Sequence, residues 1–130
     1  MEREDASHAL RGVYILLVDD NPAHRDALRD ILRYCDAWVR EVATGDEALS
    51  LLRETTPSAL VVVVRFPGDA SWALVRALRA MRPEHGGKIP VVGVGPAGLA
   101  VEAHAYGMDA YLAEPIEALG LCRAVRELTE

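Results

Sequence analysis

The chain has 130 residues, about half of them apolar, which fits one globular domain and excludes a chain that is disordered throughout. Its formal net charge of -6 leaves no basic stripe to neutralise phosphates, which argues against nucleic acid as a direct partner. The apolar run from Ala59 to Val64 is far too short to cross a bilayer, so no membrane contact is expected. Two cysteines far apart in the sequence fit free thiols in a cytoplasmic protein.

Residues 1–12 are polar, mixed in charge and without an apolar stretch. They do not resemble a signal peptide, and we expect a flexible N-terminal segment there. Regular structure is expected from residue 13 onward, as a single domain over residues 13–130, because no linker or low-complexity stretch interrupts this part of the chain.

From residue 13, apolar runs alternate with stretches whose apolar residues recur at helical spacing. The elements predicted in chain order are a strand at 13–18, a helix at 22–34, a strand at 38–42, a helix opening at 44–46 and running to about 52, a strand at 59–64, a helix at 71–81, a strand at 91–94, a short helix at 100–106, a strand at 110–112, and a last helix ending near 128. The apolar face of the last helix is predicted to consist of Ile116, Leu119, Cys122 and Val125.

Strict alternation of strands and helices predicts parallel strands joined by right-handed crossovers. The first, third and fourth strands are apolar throughout and belong in the middle of the sheet, whereas the polar second strand and the short fifth strand belong at its edges. The sequence therefore predicts a flavodoxin-like, doubly wound α/β fold with strand order 2-1-3-4-5. Its topological switch point lies between strands 1 and 3, where Asp19-Asp20 meets Val63-Val64.

The segment ILLVDDNPAHRDAL, residues 15–28, resembles the opening of a response-regulator receiver domain, the CheY-like family. Pro57, Pro67-Gly68 and the segment YGMDAYLAEPI, residues 106–116, extend the resemblance over nearly the whole chain. In that family an acidic pair holds magnesium, an aspartate ending strand 3 accepts a phosphoryl group, a strand 4 Ser/Thr senses it, and a lysine before a proline contacts it. The resemblance implies a two-component or phosphorelay signalling protein, not an enzyme, with a sensor kinase or an output domain as partner.

At three of these positions the sequence departs from the family pattern. Val63 stands where the phosphoacceptor aspartate is expected, Gly95 replaces the Ser/Thr, and Glu114 replaces the lysine. Phosphoryl transfer needs a nucleophilic oxygen and cations that neutralise the developing charge, and these replacements remove both. The resemblance therefore implies a degenerate pseudo-receiver that acts through protein–protein interaction. It also suggests a cis peptide bond between Glu114 and Pro115.

Several remaining residues carry predictions of their own. Asp19 and Asp20 are expected to bind magnesium weakly if at all, with no other cofactor. Arg65 is a possible counter-ion for these carboxylates, against the alternative of a solvated loop arginine. Receivers dimerise or dock through helix 4, strand 5 and helix 5, so the resemblance implies such a surface here, with Tyr106 and Tyr111 as its aromatic contacts.

Two alternative functions remain open at this point. Residues Gly93 to Gly98 match the pattern G-x-G-x-x-G, as in a flavodoxin-like nucleotide-binding or enzymatic domain, although its first glycine falls inside a strand. A relocated phosphoacceptor at Asp69 or Ser71 is the other alternative, although both residues fit helix capping better. Four histidines show no metal-ligand spacing, and Trp72 fits either core packing or an exposed contact.

Overall fold

The computed structural model describes residues 7–130. Its elements in chain order are β1 (Tyr14–Val18), α1 (Pro22–Tyr34), β2 (Trp38–Val42), α2 (Gly45–Leu52), β3 (Ala59–Val63), α3 (Ala70–Arg79), a 3-10 turn (Pro83–His85), β4 (Val91–Gly95), α4 (Ala100–Tyr106), β5 (Ala110–Ala113) and α5 (Ala118–Thr129). Within residues 7–130, no helix combines the length and apolar character that a membrane span requires.

The five strands form one parallel sheet in the order β2-β1-β3-β4-β5, which confirms the predicted topology. Val18 of β1 lies opposite Val62 of β3, and Val63 lies opposite Val94 of β4. Asp19, the residue after β1, is therefore brought beside Val63 at the carboxyl edge of the sheet. Both central strands end there, as the predicted switch point requires.

The sheet is covered on both faces, and β3 contributes to both layers. Leu60 and Val62 point into a core shared with α2, α3 and α4, whereas Val61 and Val63 point into a core shared with α1 and α5. All five residues of β3 are buried. Because successive side chains of a strand face opposite sides, a strand buried on both faces must be apolar at every position. This explains the run of valines.

Side-chain caps fix where three of the helices begin. The side chain of Asn21 accepts a hydrogen bond from the backbone amide of His24 at the start of α1. The side chain of Asp69 likewise accepts from the backbone amide of Ser71 at the start of α3. Thr44 and Glu47 form a reciprocal capping box at α2. Each cap satisfies amides that the first turn of a helix leaves without backbone partners. These sites agree with the predicted helix starts.

The start of the described chain packs against α1. Leu10 is fully buried, and its backbone amide donates to the carbonyl oxygen of Cys35 at 2.8 Å. Residues 7–12 are therefore attached to the domain, whereas residues 1–6 of the segment predicted to be flexible lie outside the described residues. A single leucine among polar residues offers no periodicity that would indicate its burial.

The apolar face of α5 differs from the prediction at two residues, Leu119 and Ile116. Cys122 and Val125 are buried as expected, but the third buried side chain is Leu121, and Leu119 is 42% exposed. Ile116 precedes the helix, which begins only at Ala118. The prediction applied helical spacing from Ile116 onward, but residues 116 and 117 precede the helix and are not helical.

Candidate functional site

A cleft of about 320 Å³ lies at the carboxyl ends of β1 and β3. Its lining includes the acidic pair Asp19 and Asp20, the last residue of β3, Val63, and the following loop with Arg65 and Phe66. This is the switch point at which ligands of open α/β sheets bind. The charges around this cleft decide what it can do chemically.

Arg65 lies across the acidic pair. Its Nη2 atom donates to Asp19 Oδ1 at 2.5 Å and to Asp20 Oδ1 at 3.1 Å. The side chain of Asp19 is fully buried, whereas that of Asp20 is 71% exposed. A buried carboxylate is strongly destabilising without a partner, so the contact with Asp19 contributes more than the contact with Asp20. The geometry expected of a counter-ion is present.

His24 is a second basic residue at the site, and its role there was not predicted from the sequence. Its Nδ1 atom contacts Asp19 Oδ2, and its Nε2 atom lies 2.5 Å from Glu114 Oε2. Ionised carboxylates only accept hydrogen bonds, so both ring nitrogens donate when His24 is protonated. Burial lowers the pKa of His24, but the hydrogen bonds to Asp19 and Glu114 outweigh it, and the pKa is raised overall.

The position of His24 in the chain is a signal from which its place near the acidic pair could have been predicted. It lies in the first turn of α1, directly after the loop from β1, where side chains can reach back over the strand tips. Glu114, a glutamate where the resemblance leads one to expect a lysine, also favours a basic residue nearby. Glu114 is joined to Pro115 by a cis peptide bond, as predicted.

The ion pairs of His24 should make folding stability depend on pH. Because the pKa of His24 is raised in the folded protein, its ion pairs stabilise the fold fully at pH values below the unfolded pKa of about 6.5. This stabilisation is lost as pH rises through the folded pKa. We expect a loss of about 0.5–1 kcal/mol over that window, the range for partly exposed ion pairs. The free energy of unfolding in urea should not show this pH-dependent loss in His24→Asn. It should show the loss in the control His104→Asn, whose substitution lies on the exposed side of α4. An unchanged loss in His24→Asn would contradict the assignment.

No nucleophilic side chain ends β3. Val63 is 4% exposed and packs in the core layer formed with α1 and α5. Its carbonyl oxygen accepts a hydrogen bond from Ser71 Oγ at 2.7 Å, which fixes the end of the strand. Ser71 is thereby committed to a structural contact and does not project freely into the cleft.

Gly95 is required by close packing. A Cβ atom built on it would lie 2.6 Å from the carbonyl oxygen of Val64 and 2.7 Å from the hydroxyl of Tyr111. That hydroxyl donates to the carbonyl oxygen of Pro96 at 2.6 Å. Tyr111 therefore occupies the space that a Ser or Thr side chain at position 95 would need.

Asp69 serves as a helix cap. One of its carboxylate oxygens accepts from the Ser71 amide at 2.9 Å, and the other accepts from the Arg65 amide at 2.6 Å. Trp72 is buried in the core, and its indole donates to the Phe66 carbonyl oxygen at 3.0 Å. These contacts order the whole loop after β3, and they favour the capping interpretation over a relocated phosphoacceptor.

The G-x-G-x-x-G pattern lies largely within the sheet. Gly93 and Gly95 are residues of β4, and a side chain at Gly93 would collide with Met108 and Tyr111. A dinucleotide fingerprint instead opens a helix with free amides. These two glycines admit neighbouring side chains, and the nucleotide-binding alternative is not favoured.

Both tyrosines of the predicted interaction surface have partners within the chain. The Tyr106 ring makes an edge contact with Trp72 at a centroid distance of 5.0 Å, and the Arg76 guanidinium lies 4.8 Å from its centroid. Tyr111 is turned inward toward Pro96. The exposed apolar side chains of this surface are instead Val101 on α4, which is 81% exposed, and Leu119 on α5.

The residues of the cleft fit a divalent cation poorly. Asp19 and Asp20 already bind the Arg65 guanidinium, and no carboxylate is present at position 63. Within the described part of the chain, no group of three or more His, Cys, Asp or Glu side chains is arranged to hold a metal ion. Magnesium would have to displace Arg65 from the acidic pair.

Comparison with known proteins identifies close similarity to one family. The family model described as "Response regulator receiver domain" matches residues 15–126. The sensor histidine kinase GacS of Pseudomonas protegens is 34% identical over 92% of this chain, although the chain spans only 13% of GacS. An uncharacterised 14.6 kDa protein of Leptolyngbya boryana is 32% identical, with 87% of each chain covered.

Solved structures agree with this similarity. The receiver domain of the sensor histidine kinase PA1611 from Pseudomonas aeruginosa superposes with a TM-score of 0.79 at 27% identity. The match covers 91% of this chain and 98% of that one. That structure holds a magnesium ion in its active-site cleft.

Proposed function

Since this chain belongs to the response regulator receiver domain family, we propose that it is a two-component signalling domain that is not phosphorylated and acts by binding proteins. The observation that carries the proposal is Val63, a buried valine at the tip of β3 beside Asp19. Phosphoryl transfer to a protein needs a nucleophilic oxygen in line with the donor, and valine has none.

The charges of the cleft support the same proposal. Arg65 neutralises the acidic pair that a metal would neutralise in an active receiver, and the basic His24 pairs with Asp19 and with Glu114, which stands at the lysine position. Because these cations are part of the chain, the site has its counter-charge without any ligand. We infer that the domain keeps one arrangement of its loops permanently, instead of switching with phosphorylation.

The partner-binding surface that we propose is formed by α4, β5 and α5, with Tyr106 and Tyr111 as its aromatic residues. The exposed Val101 and Leu119 add apolar area to this surface, which supports its use in binding. The proposed partners are a sensor kinase, an output domain or a second copy of the chain. We propose a cytoplasmic location and one domain over residues 13–130, to which the buried Leu10 attaches residues 7–12.

A phosphodonor assay tests the proposal. Incubation with acetyl phosphate and magnesium should add no phosphoryl mass to this chain, because Val63 offers no acceptor oxygen. Intact-mass spectrometry gives the readout, with a phosphorylatable receiver treated in parallel as the control. A stable adduct that disappears in Asp69→Ala would show a relocated acceptor, and the proposal would then be wrong.

A further inference from the structure

The edge of the sheet opposite β5 is open. Among residues 7–130, β2 pairs only with β1. The amide of Trp38 donates to the Val13 carbonyl oxygen, and the carbonyl oxygen of Val42 accepts from the Asp19 amide. Alternate residues of a strand direct their backbone groups to opposite edges. Val39 and Glu41 therefore direct their N–H and C=O groups away from β1, and these groups have no backbone partner among residues 7–130.

The side chains beside this edge are those typical of binding surfaces. Trp38 is 73% exposed and lies on the same face of β2 as the exposed Arg40. A groove next to Trp38 is lined by Arg11 and Arg33, and Tyr34 at the end of α1 is 66% exposed. Trp, Tyr and Arg are the residues that most often dominate the energy of protein interfaces.

The chain as a whole carries -6, but Glu41, the acidic residue of β2, is already paired with Arg25 and Arg29. Within residues 7–130, neither Arg33 nor Arg40 has a carboxylate within ion-pair distance, and the one acidic residue lining the groove, Asp36, is already paired with Arg11. A segment with acidic side chains would complement this charge. A second copy would not, because two β2 strands paired about their centres would place Arg40 opposite Arg40.

We propose that the outer edge of β2 binds an extended, acidic peptide segment of a partner protein as a sixth strand. The backbone groups of Val39 and Glu41 pair with the peptide, Arg40 pairs with an acidic side chain, and Trp38 covers an apolar one. Strand addition of this kind takes its affinity from main-chain hydrogen bonds and its specificity from alternate side chains. The site is separate from the surface formed by α4, β5 and α5, and it would allow one domain to join two partners.

A peptide titration followed by amide NMR tests this proposal. The probe is a capped eight-residue peptide in which Glu and Val take turns at every second position, with Thr at the positions between, so that Glu and Val lie on the same face of the added strand as Arg40 and Trp38. The comparison peptide has Lys in place of every Glu. Two further probes are N-methylated versions of the Glu peptide, one methylated at the odd-numbered residues and the other at the even-numbered residues. Because alternate residues direct their N–H groups to opposite edges, each version lacks the hydrogen-bond donors of one edge only. We expect the amide signals of Val39 and Glu41 to shift with the Glu peptide, at least tenfold weaker binding of the Lys peptide, and loss of binding for only one methylated peptide.

Variants of the edge sharpen the test. Arg40→Glu and Trp38→Ala should each weaken binding of the Glu peptide at least tenfold, and Arg40→Glu should gain affinity for the Lys peptide. Arg123→Glu, at an exposed site on α5, makes the same charge change and should leave binding unchanged. Equal binding of both methylated peptides, or equal weakening by Arg123→Glu, would show diffuse attraction and overturn the proposal. Concentration-dependent dimerisation that Arg40→Glu abolishes would assign the edge to a second copy instead.

Discussion

Replacing Gly95 with alanine should lower the free energy of unfolding by about 1–3 kcal/mol, the range for overpacking a tight core. The new Cβ atom would lie 2.6 Å from the Val64 carbonyl oxygen. That carbonyl belongs to the backbone, which cannot rotate away as the end of a side chain can. The Val64 amide is also held by a hydrogen bond to Val94 at 2.8 Å, so β3 and β4 would have to separate locally. Urea unfolding gives the measurement.

Two further variants identify the source of this cost. Gly120→Ala in α5 places its Cβ atom no closer than 3.4 Å to a neighbour, and it should stabilise the helix by up to about 1 kcal/mol. Adding Tyr111→Phe to Gly95→Ala removes the hydroxyl contact and leaves the carbonyl contact. We therefore expect only part of the stability to return. A Gly95→Ala protein as stable as the parent would mean that the two strands separate at no cost.

Replacing Val63 with aspartate should destabilise the fold by about 1–3 kcal/mol at neutral pH, as is common when a charge is buried without a partner. The new carboxylate would lie beside the buried Asp19 and near Glu114, and Arg65 and His24 are already engaged with these residues. Desolvation and like-charge repulsion would both raise its folded pKa above the unfolded value of about 3.9. The restored nucleophile should remain a poor phosphoacceptor, because Glu114 and Gly95 are unchanged.

The sign of the pH dependence follows from that raised pKa. Between the unfolded and folded pKa values, the folded protein binds more protons, so the loss grows as pH rises through this window and shrinks on acidification. Val63→Asn, which is polar but uncharged, should show a loss that does not vary with pH. Added magnesium should reduce the loss in Val63→Asp alone, if the third carboxylate allows the metal to displace Arg65. Equal stability of Val63→Asp and the parent at every pH would mean that the strand tip is solvated.

The fold could be predicted from the sequence because its signals are local. Three wholly apolar runs indicate central parallel strands, and Asn21-Pro22 and Thr44-Gly45-Asp46 indicate helix starts. These patterns depend on a few consecutive residues, and hydrophobic burial enforces them. Leu10 could not be predicted in this way, because its burial depends on α1, which follows it in the chain.

The site was predictable only where a position has a fixed role. Val63, Gly95 and Glu114 could be placed at the ends of β3, β4 and β5 by resemblance, since each lies at a set distance from a strand end or a proline. The position of His24 in the first turn of α1 indicates that it lies near the strand tips, but its partners could not be predicted, because a lone histidine acquires its chemistry from side chains that fold around it. Glu114 is 90 residues away in sequence, and only the structure brings it to within hydrogen-bonding distance. The inward position of Tyr111 likewise depends on the absence of a side chain at Gly95.

The contact between Gly95 and Tyr111 also limits the evolutionary paths open to this chain. A lineage that regained an aspartate at position 63 would still lack the sensing hydroxyl, and a threonine at position 95 would collide with Val64 and Tyr111. Selection would therefore have to carry the chain through unstable intermediates before phosphorylation brought any advantage. Under the proposed function, loss of phosphorylation would thus be easier to reach than to reverse, and mutation would be expected to elaborate the binding surfaces instead of rebuilding the chemistry.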